Sequence, residues 1–253
     1  RSKLFPYTTL FRSSGINGKI GKFVYRQAKL NRDNVICGVD KNTIGEFDCP
    51  VYKSFDEIKS YANAVIDFSA TEVLSDLLKF AVANHTPVIL GTTGYSEEQE
   101  EEILRAANKI AIFKSNNFSL GVSVVKKLCA IAAKALSDFD VEIIDVHHRN
   151  KLDSPSGTTK TLYEAIVCAL SEEKTAVYGR QGSKRRQKSE IGIHSVRGGS
   201  VIGEHEILFL GDNETVSVKH TAYSKELFAN GALKAAKFIR DKKCGLYGMD
   251  DLL

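Results

Sequence analysis

Short apolar runs alternate with longer segments of helical spacing through the first half of this chain. The runs are rich in β-branched residues, have the length of buried parallel strands, and occupy residues 35–39, 64–69, 86–90 and 110–114. Between them, segments 72–83 and 96–108 carry apolar residues at helical spacing, and Ser96 with the acidic residues after it is typical of a helix start. The alternation predicts an α/β fold in which helices cover a doubly wound parallel sheet.

The pattern changes after residue 117, where strands and helices no longer alternate regularly. The later elements are predicted as helices at 122–135, 159–169 and 224–241, and as strands at 141–146 and within 191–222. The last helix has an apolar side that would return to pack on the first domain. We therefore expect a first domain of residues 1–117 and 225–253, and a second, α+β domain of residues 118–224.

Charge and cysteine content narrow the class of function. Lys and Arg total 35 against 31 Asp and Glu, and the net charge of +4 is milder than the concentrated basic surface of a nucleic-acid-binding protein. No apolar run approaches the roughly 20 residues that span a bilayer, and no segment is ordered like a signal peptide. The five scattered cysteines indicate neither a disulfide framework nor a zinc site. We expect a cytoplasmic protein that binds a small anion, without a nucleic-acid, membrane or metal partner.

Three glycines at GxxGxxG spacing, beginning at Gly15, precede a segment of helical spacing. Glycine lets the backbone approach a pyrophosphate, and the amide end of the following helix favours phosphate, although a tight turn without a ligand has the same pattern. Asp40 ends the second predicted strand and is placed to accept ribose hydroxyls, whereas Lys41 suits a 2′-phosphate. The pair leaves NADH and NADPH open and favours the use of both; an exposed loop that begins at Asp40 is the alternative.

The densest group of chemically active side chains lies between a predicted strand and a predicted helix. His147, His148, Arg149 and Lys151 form a cationic cluster suited to an anion with carboxylates, and Asp153 balances it in part. A histidine near its ordinary pKa supplies a proton at neutral pH, and a lysine stabilises developing negative charge or donates a proton. The cluster therefore predicts acid–base chemistry on an acidic substrate.

The predicted helix after this cluster adds a second anion-binding feature. Ser156 is placed as its N-cap, and the amides of Gly157 and Thr158 then point toward an incoming carboxylate. A polar surface loop is the alternative. A metal site is disfavoured because adjacent histidines on a strand project differently and no Asp, Glu or Cys completes a zinc spacing nearby.

The segment 142–158 reads E-x-x-x-x-H-H-x-x-K-x-D-x-P-S-G-T and resembles the central signature of the 4-hydroxy-tetrahydrodipicolinate reductase family, formerly called dihydrodipicolinate reductase. The chain is also similar to this family in the glycine motif at Gly15 and in the segments 65–69, 91–94, 116–122, 197–200 and 203–205. The resemblance covers about residues 14–253.

The resemblance implies a Rossmann-type nicotinamide-binding domain, and a second domain that binds substrate and forms a homotetramer. It implies reduction of 4-hydroxy-tetrahydrodipicolinate by NADH or NADPH, with loss of water, in diaminopimelate and lysine biosynthesis. By motif position, His147 would donate and accept the proton and Lys151 would be the second catalytic group. Substrate carboxylates would be bound by His148, Gly157 and Thr158. The cofactor would contact Gly15, Ile16, Asn17, Gly18, Lys19, Ile20, Asp40, Lys41, Gly91, Thr92, Thr93, Ser115, Asn116, Asn117 and Phe118.

The segment that leads into the first glycine departs from what the fold requires. A Rossmann-type domain needs an apolar strand there, and residues 8–11 have that character, but Arg12 would then occupy a position buried on both faces of a parallel sheet. A foreign segment in place of the native strand and a divergent strand are two explanations. With either explanation, cofactor binding is the function that this segment would affect.

Two rival functions are consistent with parts of this pattern. Another Rossmann-type dehydrogenase, acting on a sugar or hydroxy acid, would share the glycine motif but not the signature at 142–158. A non-catalytic nucleotide-sensing protein would keep the fold and use the basic run 184–188 for a nucleic-acid partner, although a solvated loop is the favoured interpretation of that run.

Overall fold

The computed structural model describes residues 9–253 of the chain. These residues divide into two compact units. The first ends at Ser119 and resumes as Lys225–Leu253, and the second is Leu120–Ser224. No helix within residues 9–253 is both long enough and apolar enough to cross a membrane.

A parallel sheet of seven strands forms the centre of the first unit. Its strands are β1 (Leu10–Ser14), β2 (Asn34–Val39), β3 (Val51–Tyr52), β4 (Ala64–Asp67), β5 (Val88–Leu90), β6 (Ala111–Lys114) and β12 (Gly245–Tyr247). They lie in the order β12-β6-β5-β4-β1-β2-β3, and every pairing is parallel. The chain order reverses between β1 and β4, which is the point where open α/β sheets bind ligands at the carboxyl ends of their strands.

Helices cover both faces of this sheet, as predicted. They are α1 (Lys19–Leu30), α2 (Leu74–Ala83), α3 (Glu97–Ala107), α6 (Glu226–Ile239) and the short α7 (Met249–Leu252). Ile112 belongs to the core cluster beneath α2 and α3, whereas its neighbour Phe113 contacts Phe238 of α6, because successive strand side chains point to opposite faces. Ser96 caps α3 by accepting the Gln99 N–H at 3.3 Å, which confirms the predicted start of that helix.

The first strand is displaced from its predicted position. It was expected at residues 8–11, of which Thr8 lies outside the described residues, and it runs instead from Leu10 to Ser14. Arg12 therefore lies inside a central strand, only 3% exposed. The pairing of β1 with β2 shifts its register between Phe11 and Arg12.

The Arg12 guanidinium is only partly satisfied in this position. It lies 5.0 Å from the centroid of the Phe80 ring, and its Nη2 donates to the Ser60 carbonyl oxygen. Its Nε and Nη1 have no hydrogen-bond partner among residues 9–253. Burial lowers the pKa of Arg12. The energetic cost of burying the Arg12 cation, which the sequence predicted, is therefore present in the fold.

Replacing Arg12 by leucine is expected to raise the free energy of unfolding by about 1–3 kcal/mol, because an apolar side chain removes a buried, incompletely paired cation. Thermal or urea unfolding measures the change. Arg105→Leu on the exposed side of α3 is the matched control and should alter stability by no more than about 0.5 kcal/mol. A loss of stability in the Arg12 variant would show that the Phe80 and Ser60 contacts outweigh the desolvation cost.

The second unit is built on a mixed sheet of five strands. Its elements are α4 (Leu120–Ala135), β7 (Asp140–His147), α5 (Gly157–Ala169), β8 (Thr175–Tyr178), β9 (Glu190–Arg197), β10 (Gly203–Leu210) and β11 (Thr215–Ala222). The strand order is β11-β10-β7-β9-β8, with β7 parallel to β9 and antiparallel to β10. Helices α4 and α5 share one apolar core with the inward residues of β7, β9 and β10. Because β7 alternates, Asp145 and His147 point to this buried side.

Candidate active site

The loop from β1 to α1 is built around Gly15. Its φ is 72°, and a Cβ on it would lie 2.6 Å from the Phe68 carbonyl oxygen, so the turn requires glycine. The Gly15 N–H donates to the Val39 carbonyl at 2.8 Å, and the Gly18 N–H donates to the Gly15 carbonyl at 3.0 Å. Gly18 is the N-cap of α1 and has no side chain to cover the first amides of the helix. The turn therefore presents an anion-binding helix end at the carboxyl edge of the sheet.

Asp40 follows β2 and is held beside this turn by hydrogen bonds. Its Oδ2 accepts the Asn17 N–H at 3.0 Å, and its Oδ1 accepts the Asn42 N–H at 3.1 Å. Lys41, next in the chain, is exposed. The structure thus brings the glycine turn and the predicted ribose-binding carboxylate together, with a cation beside them.

A cleft of about 1170 Å³ opens at this edge of the first unit. The predicted cofactor residues that line it are Gly15, Asn17, Gly18, Asp40 and Lys41. Its volume slightly exceeds the usual range of about 300–1,000 Å³ for ligand pockets. The cleft is therefore large enough for a ligand of dinucleotide size.

The remaining predicted cofactor residues lie beyond the lining of the cleft. They are Ile16, Lys19, Ile20, Gly91, Thr92, Thr93, Ser115, Asn116, Asn117 and Phe118. Those from Gly91 and from Ser115 follow β5 and β6, at the same carboxyl edge. The side chains of Ile16 and Phe118 are buried in the core, at 0% and 2% exposure, so those two residues have only backbone atoms to offer a ligand.

A buried carboxylate at the end of β4 was not among the predicted site residues. Asp67 is 2% exposed; its Oδ1 accepts from the Ser69 hydroxyl at 2.5 Å, and its Oδ2 accepts from the Thr92 hydroxyl at 2.7 Å. Burial raises the pKa of Asp67 above its usual range, although these hydroxyls oppose the shift. Asp67 therefore ties the turn after β4 to the turn after β5.

In the second unit, His147 ends β7 and pairs with Asp145 on the same strand. The ring Nδ1 of His147 lies 2.5 Å from the Asp145 Oδ1, and the two side chains are buried. Arg197, the register partner of His147 on β9, places its Nη1 3.3 Å from the same oxygen. Burial lowers the pKa of His147, and the Asp145 carboxylate opposes that shift. A neutral imidazole oriented by a carboxylate is a typical acid–base arrangement.

The start of α5 lies against this pair. Ser156 is its N-cap, and the Ser156 hydroxyl accepts the Thr159 N–H at 3.2 Å, as the sequence predicted. The Ser156 N–H donates to the Asp145 Oδ2 at 2.6 Å. His205 of β10 approaches from the other side, with Nε2 3.0 Å from the Ser156 hydroxyl and its ring centroid 5.2 Å from that of His147. Burial lowers the pKa of His205 to about 4, so it is neutral near pH 7.

The predicted cationic cluster is placed around these buried groups. The Lys151 side chain is 20% exposed, and its ammonium pairs with the Asp153 Oδ1 at 2.7 Å. This pair holds the pKa of Asp153 below its usual range. His148 is half-buried and its carbonyl accepts the Lys151 N–H at 3.1 Å. Gly157 is exposed and Thr158 half-buried at the first turn of α5. His147, His148, Lys151, Gly157 and Thr158 thus lie on β7, the loop after it and the helix that follows.

Three residues have one atom each that could hold a metal ion together. The candidate ligand atoms of Asp145, His147 and His205 all lie within 4.8 Å of one another. A metal site was not expected from the sequence, because adjacent histidines project differently on a strand and no Asp, Glu or Cys was seen to complete a zinc spacing; the fold brings Asp145 and His205 to His147. Asp145 could have been found from the strand period, since it precedes His147 by two residues on one strand. Arg197 and His205 come from other strands, and their positions depend on register.

The basic run 184–188 is engaged in the fold at its central residue. Arg186 donates from Nη1 to the Asp140 Oδ1 at 2.5 Å and from Nε to the Glu142 Oε1 at 3.2 Å. Lys184 and Arg185 are exposed. The run is therefore held against β7 by Arg186, which is consistent with a structural loop.

Comparison with known proteins gives the same assignment for both units. Residues 14–118 match the family model described as dihydrodipicolinate reductase, N-terminus, and residues 121–253 match the model described as dihydrodipicolinate reductase, C-terminus. The 4-hydroxy-tetrahydrodipicolinate reductase of Caldanaerobacter subterraneus is 47% identical over 241 residues, covering 94% of this chain and 96% of its own. The enzyme of that name from Clostridium tetani is 41% identical, covering 94% of each chain.

A solved structure shows the same fold. The dipicolinate-bound dihydrodipicolinate reductase from Paenisporosarcina sp. TG-14 has a TM-score of 0.82 at 24% identity, covering 97% of this chain and 100% of its own. This likeness confirms the α/β architecture with a second sheet domain. Because both family models match and relatives exceed 40% identity along nearly the whole length, the chain belongs to the dihydrodipicolinate reductase family.

Proposed function

We propose that this protein reduces 4-hydroxy-tetrahydrodipicolinate to tetrahydrodipicolinate, with loss of water, in diaminopimelate and lysine biosynthesis. The observation that carries the proposal is the pairing of His147 with Asp145 at the start of α5, within the signature shared with the family. A proton donor beside a helix N-terminus suits a substrate that bears carboxylates. The names of the relatives and the dipicolinate bound to one solved relative support the same substrate class.

The residues of the first unit fit a nicotinamide dinucleotide. Gly15 forms a turn that a Cβ would obstruct, and α1 presents uncapped amides to a pyrophosphate. Asp40 is oriented to accept ribose hydroxyls, and exposed Lys41 suits a 2′-phosphate, so we propose that NADH and NADPH are both used. When bound, the coenzyme supplies a hydride. The domain of residues 1–117 and 225–253 is accordingly the coenzyme-binding domain.

The residues of the second unit have distinct proposed roles. His147 takes up a proton from solvent at Nε2 and donates it to the substrate from the same atom, since Nδ1 faces Asp145. Lys151 leaves its ion pair with Asp153 when substrate binds, and its ammonium then stabilises the negative charge that develops on the substrate. His148, Gly157 and Thr158 bind the carboxylates. The overall change balances: one hydride and one proton are added to the substrate, and its 4-hydroxyl group leaves as water.

We also propose that residues 118–224 form the surface of a homotetramer. The face of the five-stranded sheet opposite α4 and α5 carries partly exposed apolar residues on three strands: Ile144 and Val146 of β7, Val196 of β9 at 49% exposure, and Leu208 of β10. A sheet face of this kind gains stability when another copy covers it. Light scattering should give four times the mass of one chain, and a monomeric mass would contradict the assembly.

Binding of dipicolinate tests the substrate class. Dipicolinate has two carboxylates on one ring, and we expect it to compete with the substrate, raising KM without changing kcat. Picolinate, with one carboxylate, should compete at least tenfold more weakly, because a charge-assisted contact to the second carboxylate contributes about 1.5–3 kcal/mol. Equal inhibition by the two compounds would contradict a dicarboxylate site.

A further inference from the structure

Asp145 is the most completely buried charged side chain of the second unit's candidate site, at 0% exposure. Both of its oxygens are engaged: Oδ1 lies 2.5 Å from the His147 Nδ1, and Oδ2 accepts the Ser156 N–H at 2.6 Å. The Arg197 Nη1 lies 3.3 Å from Oδ1. One carboxylate is thus shared by the proposed proton donor and by the N-cap of the helix that we propose binds the substrate.

Asp145 is surrounded by hydrogen-bond donors. The Ser156 N–H and the Arg197 Nη1 both contact its carboxylate, and neither group can accept a hydrogen bond. An ionised carboxylate only accepts hydrogen bonds, so the facing Nδ1 of His147 must carry a hydrogen. In the neutral ring, Nε2 then has the lone pair, and it is the atom that gains and releases the transferred proton.

Space is kept beside Nε2. A Cβ on Gly203 at the start of β10 would lie 3.0 Å from the His147 Nε2, closer than side-chain atoms ordinarily approach. The His147 ring is therefore held by the Asp145 carboxylate at Nδ1. On the Gly203 side, its Nε2 faces a residue that has no side chain. The same rigid strand carries Asp145 and His147, which fixes their separation.

We propose that Asp145 is a positioning residue: it fixes the Nδ1–H tautomer of His147, and through Ser156 it sets the place of the α5 N-terminus relative to that ring. This inference rests on the proposed role of His147 as proton donor. Asp145 acts through the histidine and does not touch substrate. The geometry couples proton donation to carboxylate binding through a single side chain.

The Asp145→Asn variant tests whether Asp145 sets the tautomer of His147, because asparagine has one accepting oxygen where aspartate has two. If its amide nitrogen faced the Ser156 N–H, two donors would oppose each other. The oxygen is therefore expected to stay on Ser156, and the amide nitrogen to face the His147 Nδ1. The histidine must then accept at Nδ1, and its neutral ring shifts the hydrogen to Nε2.

The experiment uses the full-length protein labelled with ¹⁵N-histidine. The chain has six histidines, and the spectrum of His147→Gln identifies the signals of His147. We expect the neutral wild-type ring to carry its hydrogen on Nδ1 and the Asp145→Asn ring to carry it on Nε2, with kcat at least about 10²-fold lower. The groups that face this ring are Asp145, Arg197, Lys151 and His205. Losing the only negative charge among them should lower the pKa of His147.

Glu142→Gln is the matched control. Glu142 also lies on β7 and also contacts a histidine, with Oε2 2.7 Å from the His194 Nε2, but it faces the opposite side of the sheet. We expect this variant to keep the wild-type tautomer of His147 and the wild-type kcat. An Nε2–H tautomer in the wild type, or an unchanged tautomer in folded Asp145→Asn, overturns the proposal. If that variant does not fold, the wild-type tautomer alone decides.

The two proposals fail separately. A wild-type protein without reductase turnover would refute the proposed function, whereas the ring tautomer is read without any substrate. Turnover with an Nε2–H tautomer would retain the function and remove Asp145 from its positioning role.

Discussion

Replacing His147 by glutamine is expected to lower kcat by about 10²-fold or more while leaving coenzyme affinity unchanged. Glutamine keeps a polar side chain of similar reach, but it has no proton to release near neutral pH. His147 lies in the second unit, whereas the residues proposed to bind the coenzyme all belong to the first, so the substitution leaves those residues unchanged. Steady-state kinetics and calorimetric titration of NADPH measure the two effects.

His194→Gln is the control for this variant. His194 lies on β9 of the same sheet and, like His147, has a carboxylate partner, Glu142. We expect wild-type kcat from it, because it lies away from the start of α5. A wild-type kcat in His147→Gln would remove His147 from the mechanism.

Replacing Lys151 by alanine should lower kcat strongly, by about 10²-fold, and raise KM as well. The reason is lost stabilisation of charge in the transition state, for which a single positioned donor contributes about 3–4 kcal/mol. The Lys151 ammonium pairs with the Asp153 carboxylate, and the lysine side chain is 20% exposed. Lys151→Ala therefore also leaves the Asp153 carboxylate without its cation.

Two further variants isolate that effect. Asp153→Asn keeps the ammonium and removes only its present partner, so kcat should fall far less than in Lys151→Ala. Lys134→Ala, on the exposed side of α4, removes a cation remote from β7 and should behave as wild type. Wild-type kinetics in Lys151→Ala would refute the assignment of this lysine.

The parallel sheet and its helices could be predicted because their signals are local. Buried parallel strands appear in the sequence as continuous apolar runs, and the N-cap residue Ser96 marks the start of α3. The short strands could not be predicted: β3 has two residues and β12 has three, and neither is long enough to show a period. Their pairing with β2 and β6 is decided by neighbouring strands.

The first strand shows where local reasoning is overridden. A buried arginine is unfavourable in a central strand, and the strand was therefore expected to end at residue 11. In the structure the strand continues through Arg12 to Ser14, and the Gly15 N–H that follows donates to the Val39 carbonyl at the carboxyl edge of the sheet. The fold places the guanidinium over Phe80 rather than moving the strand. The sequence indicated the cost correctly and the position of the strand incorrectly.

The candidate site was foreseen where its residues are contiguous and missed where they are not. The segment from His147 to Thr158 forms one strand end, one loop and one helix start, so spacing alone groups it. His205 and Arg197 reach it from β10 and β9, and only strand register brings them there. Asp67 was overlooked because its role is to bind Ser69 and Thr92 across two turns.

The most direct test of the central claim is oxidation of NADH and of NADPH, followed by their absorbance, with freshly generated 4-hydroxy-tetrahydrodipicolinate. We predict that both coenzymes are oxidised only when this substrate is present, and that one coenzyme is consumed for each molecule of tetrahydrodipicolinate formed. Absence of turnover with either coenzyme, in protein shown to be folded, would contradict the proposed reaction.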